Sequence, residues 1–326
     1  MPFTVEPKEQ FLWQAAMWRS LDLSTFGGER VDLVIATKFP SYYARHPKKS
    51  LWLVHQHRAI YDLYGGRYSD FSDDPRDEEL RKALVLGDTQ AIGESNFISG
   101  ISKNVVDRLK NFNGIEGKVL YPPLNLAGQY YTAESEPYVL SVGRICSIKR
   151  VDLMVKALPF IHPFVKLKVV GRPDEPGVME YLQNEIAKHH LHERVEFLGR
   201  VSDEALLELY SKCMAVYYAP HNEDYGYVTL EGMASSKPVL SATDSGGVLE
   251  FVRHEENGLI VEPTSEAIGN GVNRLAEDMQ FAARLGAQGR RDLNALGIEQ
   301  SGWEDVIQGL LSPLSENQKT ERVSNG

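Results

Sequence analysis

From Tyr138 to Val261 strand-like and helix-like runs alternate without a break, and this limits the fold more than any other property of the chain. Tyr138–Gly143 (YVLSVG) is a continuous apolar run, as in strands buried on both faces of a parallel sheet. Val151, Met154, Val155, Leu158 and Ile161 then recur at helical spacing. The pattern repeats as strand Lys166–Gly171, helix Val178–His190, strand Val195–Gly199, helix Asp203–Cys213 and strand Ala215–Ala219. A helix from Val228, strand Val239–Ala242, a turn Thr243–Gly247, helix Val248–Arg253 and strand Leu259–Val261 follow. Alternation of this kind predicts right-handed crossovers and a doubly wound parallel α/β sheet, with ligands at the carboxyl ends of the strands.

The first half reads less completely. Strands are predicted at Val31–Ala36, Leu51–His55, Gln90–Glu94 and Lys118–Leu120, and helices at Glu9–Leu23, Asp77–Leu86 and Gly100–Phe112. This is a second α/β unit, but it opens with polar coil and a helix where a doubly wound domain opens with a strand. Pro122-Pro123 and the polar stretch Thr132–Pro137 mark a linker. Residues 1–133 are therefore expected to form a partial domain and 134–300 a complete one. A helix within 301–312 is expected to cross back to the first domain, ahead of a frayed tail over 313–326.

With 326 residues the chain favours two domains, and a net charge of −10 argues against nucleic acid as a partner. The one basic cluster, Arg45-His46-Pro47-Lys48-Lys49, reads as a solvated loop. Two cysteines, Cys146 and Cys213, suit neither a disulfide framework nor a metal site, which points to a reducing, cytoplasmic compartment. The N-terminus reads as no signal peptide, and no stretch approaches the ~20 apolar residues of a membrane span. Asp70–Asp74 resembles an acidic metal motif but lies in a Gly- and Ser-rich segment and reads as a mobile surface loop.

The chemistry concentrates in Ala215–Leu240, AVYYAPHNEDYGYVTLEGMASSKPVL. A buried strand runs into a polar turn holding Glu223, then Gly226 at a helix mouth, then Glu231 one turn into the helix. Free N–H groups at such a mouth attract phosphate. Helical side chains lean back toward the N-terminus, so Glu231 can reach over a ligand held there. Carboxylates beside phosphate pair naturally with hydroxyls, which suggests phosphates flanked by sugars, a nucleotide sugar. Arg144 directly after one strand and Lys149 before the next helix suit a diphosphate, although two solvated charges would look the same. Gly246-Gly247 reads equally as an anion site or as a turn needing positive φ. Leu51–Val54 ends in His55-Gln56-His57, two histidines on one strand face. A satisfied structural histidine is the plainer reading of that pair.

The runs SVGRICSIKRVDLMVKAL and EDYGYVTLEGMASSKPVLSATDSGGVLEFV and the ending ENGLIVEP together resemble the donor domain of family 4 retaining glycosyltransferases of the GT-B fold, two Rossmann-like domains. The resemblance is dense from Val119 to Trp303 and looser from Val31 to Leu120. It implies that Glu231 binds the ribose hydroxyls of a UDP- or GDP-linked hexose donor and Glu223 the hydroxyls of the donor sugar. Backbone N–H groups around Gly226, Tyr227 and Val228 would meet the sugar and its phosphate, with Thr229 on the phosphate side. Arg144 and Lys149 would neutralise the leaving diphosphate, so no metal and no other cofactor is expected. The base would lie near the turn Gly199-Arg200-Val201. A histidine in the acceptor half would flank the transferred sugar; His55 is favoured because it follows the apolar run directly, with His57 second. Asp62 and Arg58 would line the same cleft.

The acceptor implied is a glycan, a lipid-linked sugar or a small molecule, as in polysaccharide biosynthesis, at a cytoplasmic site that includes peripheral contact with the inner membrane face. Family members open with a strand and a Gly-rich loop, and neither precedes Val31. The N-terminal domain is therefore expected to be incomplete: a truncated chain, a split enzyme completed by a partner chain, or a non-catalytic nucleotide-sugar-binding subunit. A phosphorylase or epimerase explains the diphosphate cations but not the full glutamate segment.

Overall fold

The computed structural model describes residues 7–299 and 302–314. The tail expected over 313–326 lies, from residue 315 on, outside the described residues, as does the very start of the chain. Two compact units result: residues up to Pro122 together with those from Ser301, and Pro123–Gln300.

In the first unit, α1 (Gln10–Ser20) leads into a two-residue antiparallel ribbon, β1 (Thr25–Phe26) and β2 (Glu29–Arg30). Strands β3 (Val34–Lys38), β4 (Lys49–His55), β5 (Phe97–Gly100) and β6 (Lys118–Val119) form a parallel sheet in the order β3-β4-β5-β6. Helices α2 (Pro75–Gly93) and α3 (Lys103–Asn113) connect them, and α10 (Trp303–Leu310) belongs to the same unit. There the Ser50 hydroxyl donates to the Leu310 carbonyl at 2.6 Å, and Trp303 meets Trp52 edge-on.

One expectation fails here. Gln90–Glu94 is not a strand but the last turn of α2. That helix starts firmly, because Asp74 accepts from the Arg76 N–H and Pro75 sits at the first helical position. Its buried stripe of Leu80, Leu84, Asp88, Ala91 and Ile92 keeps helical spacing through the stretch read as β. The segment 70–74 lies at the surface as read, with Asp70 and Ser72–Asp74 exposed, and it is pinned at Phe71, which is buried, and at Asp77, which accepts from the Ser72 N–H and from Lys8.

In the second unit, β7 (Tyr138–Val142), β8 (Lys166–Val170), β9 (Val195–Gly199), β10 (Ala215–Tyr217), β11 (Val239–Ala242) and β12 (Gly258–Val261) are all parallel, in the order β12-β11-β10-β7-β8-β9. Helices α4 (Val151–Ala157), α5 (Val178–Lys188), α6 (Asp203–Lys212), α7 (Tyr227–Ala234), α8 (Ser265–Glu277) and α9 (Met279–Leu296) pack around it. The sequence reading assigns nothing to α8 and α9, whose N-caps, Thr264 and Asp278, each accept a backbone N–H. Val248–Arg253, read as a helix, is a 3-10 turn over Gly247–Glu250.

The strand order reverses between β7 and β10. One half of the chain winds outward through β8 and β9, the other through β11 and β12. Crossovers leave in opposite directions at that point and open a crevice beyond the carboxyl ends of β7 and β10. Close packing narrows its wall: a Cβ on Gly171 would come within 1.8 Å of the Gly143 carbonyl oxygen, so only glycine lets the ends of β7 and β8 approach so nearly.

Candidate active site

The residues beyond β7 and β10 form one polar cluster at this reversal. Lys149 ends a 3-10 turn, Ser147–Lys149, and its ammonium pairs directly with Glu223 from the loop after β10. The Tyr218 hydroxyl completes the triangle, 3.1 Å from the Lys149 Nζ and donating to Glu223 Oε2 at 2.9 Å. The Lys149 and Glu223 side chains are only 15% and 17% exposed, so their attraction is weakly screened. Glu223 is fixed by its backbone as well: its N–H donates to the Ser245 carbonyl at 3.0 Å, and its carbonyl accepts from the Gly247 N–H at 2.7 Å.

Gly246-Gly247 therefore serves as a turn. Gly246 has φ of +62°, and a Cβ there would meet Asn222 at 2.5 Å. Arg144 follows Gly143 at the end of β7. It pairs with Asp174 on the loop after β8 and also feels the charge of Glu223. Unlike Lys149 it is 65% exposed.

Gly226 opens α7 with φ of +88°, and a Cβ there would sit 2.9 Å from a Val248 methyl. Behind it Tyr227 is half-buried, while Val228, Thr229 and Glu231 are buried. The Thr229 hydroxyl has no hydrogen-bond partner among the described residues. Glu231 is 9% exposed, and its Oε2 accepts from the Tyr210 hydroxyl at 2.5 Å. Burial pushes the Glu231 carboxyl up from its ordinary range, and the Tyr210 hydrogen bond works against that rise.

Arg200 and Val201 line a cleft of about 400 Å³ shared with Arg144, Val142, Val170 and Asp174. The second unit thus brings together Arg144, Lys149, Glu223, Gly226, Tyr227, Val228, Thr229, Glu231, Arg200 and Val201 along one row of strand ends.

Sequence reasoning missed Tyr218, Tyr210 and Arg150. The Arg150 guanidinium holds both oxygens of Asp244, at 2.7 and 2.6 Å, and lies 3.0 Å from His221 Nδ1. This bidentate pair ties the Lys149 turn to the loops after β10 and β11. Arg150 adopts a left-handed conformation, φ +55°, at a cost on the order of 1 kcal/mol. Adjacency to Lys149 was the one available signal. Among the described residues no group of three His, Cys, Asp or Glu side chains is placed to hold a metal, and no helix is long and apolar enough to cross a membrane. Cys146 and Cys213 are free and buried.

In the first unit the two histidines separate by environment. His57 packs against Phe11, with ring centroids 4.2 Å apart, and near Phe39 and Phe71. Burial pushes its pKa down to about 4, so it is neutral at physiological pH. His55 is half-buried at the carboxyl end of β4, its Nδ1 2.8 Å from the Gln56 carbonyl oxygen, so that Nδ1–H donates there. Asp62 is engaged by Arg58 at 2.5 Å and by the buried Arg108 at 3.2 Å. Burial acts to raise its carboxyl pKa, but Arg108 and Arg58 overcome this and hold it below the ordinary range. Arg58 and Asp62 are thus partners within a buried ion-pair cluster.

Comparison with known proteins corrects the family. The model that matches residues 127–292 is that of the glycosyl transferases group 1, so the resemblance to family 4 gives way to it. An uncharacterized glycosyltransferase of Methanocaldococcus jannaschii is 30% identical over 309 residues, covering 87% of this chain and 75% of that one. The human alpha-1,3/1,6-mannosyltransferase ALG2 is 28% identical over 219 residues, and there the match covers 60% of this chain but only 52% of the relative. Among solved structures, sucrose-phosphate synthase from Thermosynechococcus elongatus superposes with a TM-score of 0.76 at 19% identity, over 98% of this chain and 81% of that one. That likeness establishes the α/β fold of GT-B type with two Rossmann-like domains.

Proposed function

The chain belongs to the glycosyl transferases group 1, and on that footing we propose that it moves a hexose from a UDP- or GDP-sugar to a glycan, lipid-linked or small-molecule acceptor with retention at the anomeric carbon. The observation that carries this reading is the Lys149–Glu223–Tyr218 triangle beside the mouth of α7, with Glu231 one turn further along. Phosphate would meet the N–H groups at Gly226, Tyr227 and Val228 and the Thr229 hydroxyl. Glu223 would accept from the hydroxyls of the donor sugar, and Glu231 from those of the ribose. The base would occupy the cleft by Arg200 and Val201. In the first unit His55 would act on the acceptor side, while His57 packs the core.

When the bond from the anomeric carbon to the phosphate oxygen breaks, its electron pair leaves with the nucleotide diphosphate. The acceptor hydroxyl oxygen bonds the same face of that carbon, and the hydroxyl proton passes to the departing phosphate oxygen. Negative charge grows on that oxygen, and Arg144 and Lys149 would offset it. Each already has a carboxylate partner, so the incoming diphosphate takes the place of Asp174 and Glu223. Glu223 is thereby released to the sugar.

A panel of UDP- and GDP-hexoses, assayed for hydrolysis and for transfer to an added acceptor, tests the reading. Turnover with at least one donor, lost in Glu223→Ala, is the expected result. Donor binding without turnover across the panel, in a folded chain, would instead support a nucleotide-sugar-binding subunit completed by a partner. The observation favouring that second reading is β3, an edge strand of its sheet with Ile35 40% exposed.

A further inference from the structure

Glu231 is positioned by a residue that has no contact with the mouth of α7 in sequence terms: Tyr210, near the end of α6 and 21 residues away. Tyr210 is fully buried, and its hydroxyl has one partner, Oε2 of Glu231, at 2.5 Å. The distance is that of a charge-assisted O–H···O⁻ bond, the strong kind. Glu231 Oε1 accepts no hydrogen bond from any described residue, so the phenol holds one end of the carboxylate and leaves the other presented. Tyr130 packs edge-on against the Tyr210 ring at 6.1 Å and closes the apolar side of the arrangement.

A glutamate has three rotatable side-chain bonds, and ordering them on ligand binding costs affinity. Here the ordering is done before any ligand arrives. We propose that Tyr210 is a positioning residue for nucleotide binding: it locks Glu231 in the orientation that accepts both vicinal hydroxyls of a ribose, and it thereby makes the intact ribose diol a condition of tight binding. This rests on the reading that Glu231 meets the ribose. Each carboxylate oxygen has two acceptor positions, so with one taken by Tyr210 three remain, enough for a diol.

The other titratable groups that feel the Glu231 charge are also phenols: Tyr130 before β7, Tyr218 after β10 and Tyr227 at the start of α7. Tyr210 is the one that hydrogen-bonds it, and that bond favours the ionised carboxylate, the form that accepts from hydroxyls. The experiment is calorimetric titration of the full chain with UDP, GDP and their 2′,3′-dideoxy analogues, from pH 5 to pH 8, for the native chain, Tyr210→Phe and Glu231→Gln. Tyr210→Phe is expected to weaken binding of the intact nucleotides about 10-fold at pH 7 and to leave the dideoxy analogues unaffected. It is also expected to move the acid-side loss of affinity to higher pH, because the bond that keeps Glu231 ionised is gone.

If Glu231→Gln and the missing diol both leave affinity unchanged, the ribose reading itself fails. If Glu231→Gln weakens binding while Tyr210→Phe changes neither affinity nor its pH profile, the positioning role is overturned. Should Tyr210→Phe not fold, 3-fluorotyrosine at position 210 of the otherwise native chain decides the matter. Its fluorine resonance is expected to move on saturation with UDP and not with dideoxy-UDP, and no movement with UDP overturns the proposal.

Discussion

The two units spend their polar residues in opposite ways. In the second, cations and carboxylates gather beyond the strand ends: Lys149 with Glu223, Arg144 with Asp174, Arg150 with Asp244. In the first they are built into the interior. The Lys49 ammonium, 1% exposed, donates to the carbonyls of Tyr42 and Ala91 at 2.8 Å each. Asp88, fully buried on α2, accepts from the hydroxyls of Tyr43 and Tyr61, each at 2.7 Å. Gln56 donates to Asn113, which in turn donates to Thr89. The same residue types thus stand at strand ends in one unit and brace the interior of the other, and composition alone does not tell the two placements apart.

The sharpest attack on this contrast is Lys149→Ala. With the role proposed above, turnover should fall by about 10²–10³ while the unfolding midpoint stays within a few degrees. Unchanged turnover with the donor identified by the panel would remove the second unit's polar cluster from the chemistry.

Next comes Asp88, whose carboxyl burial pushes up to about 6 against the pull of Tyr61 and Tyr43. The raised native pKa means that the folded chain keeps a proton the unfolded chain loses. Below about pH 4 both states hold the proton and the contribution is complete. As pH rises through 6 it is lost, amounting to about 3 kcal/mol by pH 7. The stability of the native chain minus that of Asp88→Asn, from urea unfolding of the first unit, should therefore decline by about that much between pH 4 and pH 7. A flat difference would mean that Asp88 is not the buried brace described.

The smallest effect distinguishes the histidines. His57→Phe, in its aromatic surroundings, should cost about 1 kcal/mol of stability or less and leave turnover intact. His55→Ala should leave the unfolding midpoint alone and lower turnover. The reverse pattern in a thermal melt and a rate assay would exchange their roles.

The sequence made the second unit legible because its order is local. Each strand carries its own apolar run and each crossover its own helix, so the six strands follow from short windows. Glu223, Gly226 and Glu231 lie within nine residues, and their grouping needs no knowledge of the fold. What remained hidden depends on chain reversal. Lys149 meets Glu223 across 74 positions, Arg150 meets Asp244 across 94, and Tyr210 reaches Glu231 from a neighbouring helix. In the first unit the long α2 misled, since Ala91-Ile92 reads as strand in a short window and as helix only together with Leu80 and Leu84. The family assignment likewise came from comparison over residues 127–292 and not from the motif runs.

The paired charges at the strand ends have a consequence for selectivity among anions. Glu223 and Asp174 are attached to the same chain as Lys149 and Arg144, and a tethered partner acts at a high effective concentration. A small free anion offers charge and little else, so it competes poorly with carboxylates that are always present. Only a ligand that adds contacts elsewhere, at α7, Glu231 or the Arg200 cleft, gains enough to displace both. At the donor site proposed above, the built-in carboxylates would therefore act as a filter that lets it ignore the inorganic phosphate and simple organic acids around it.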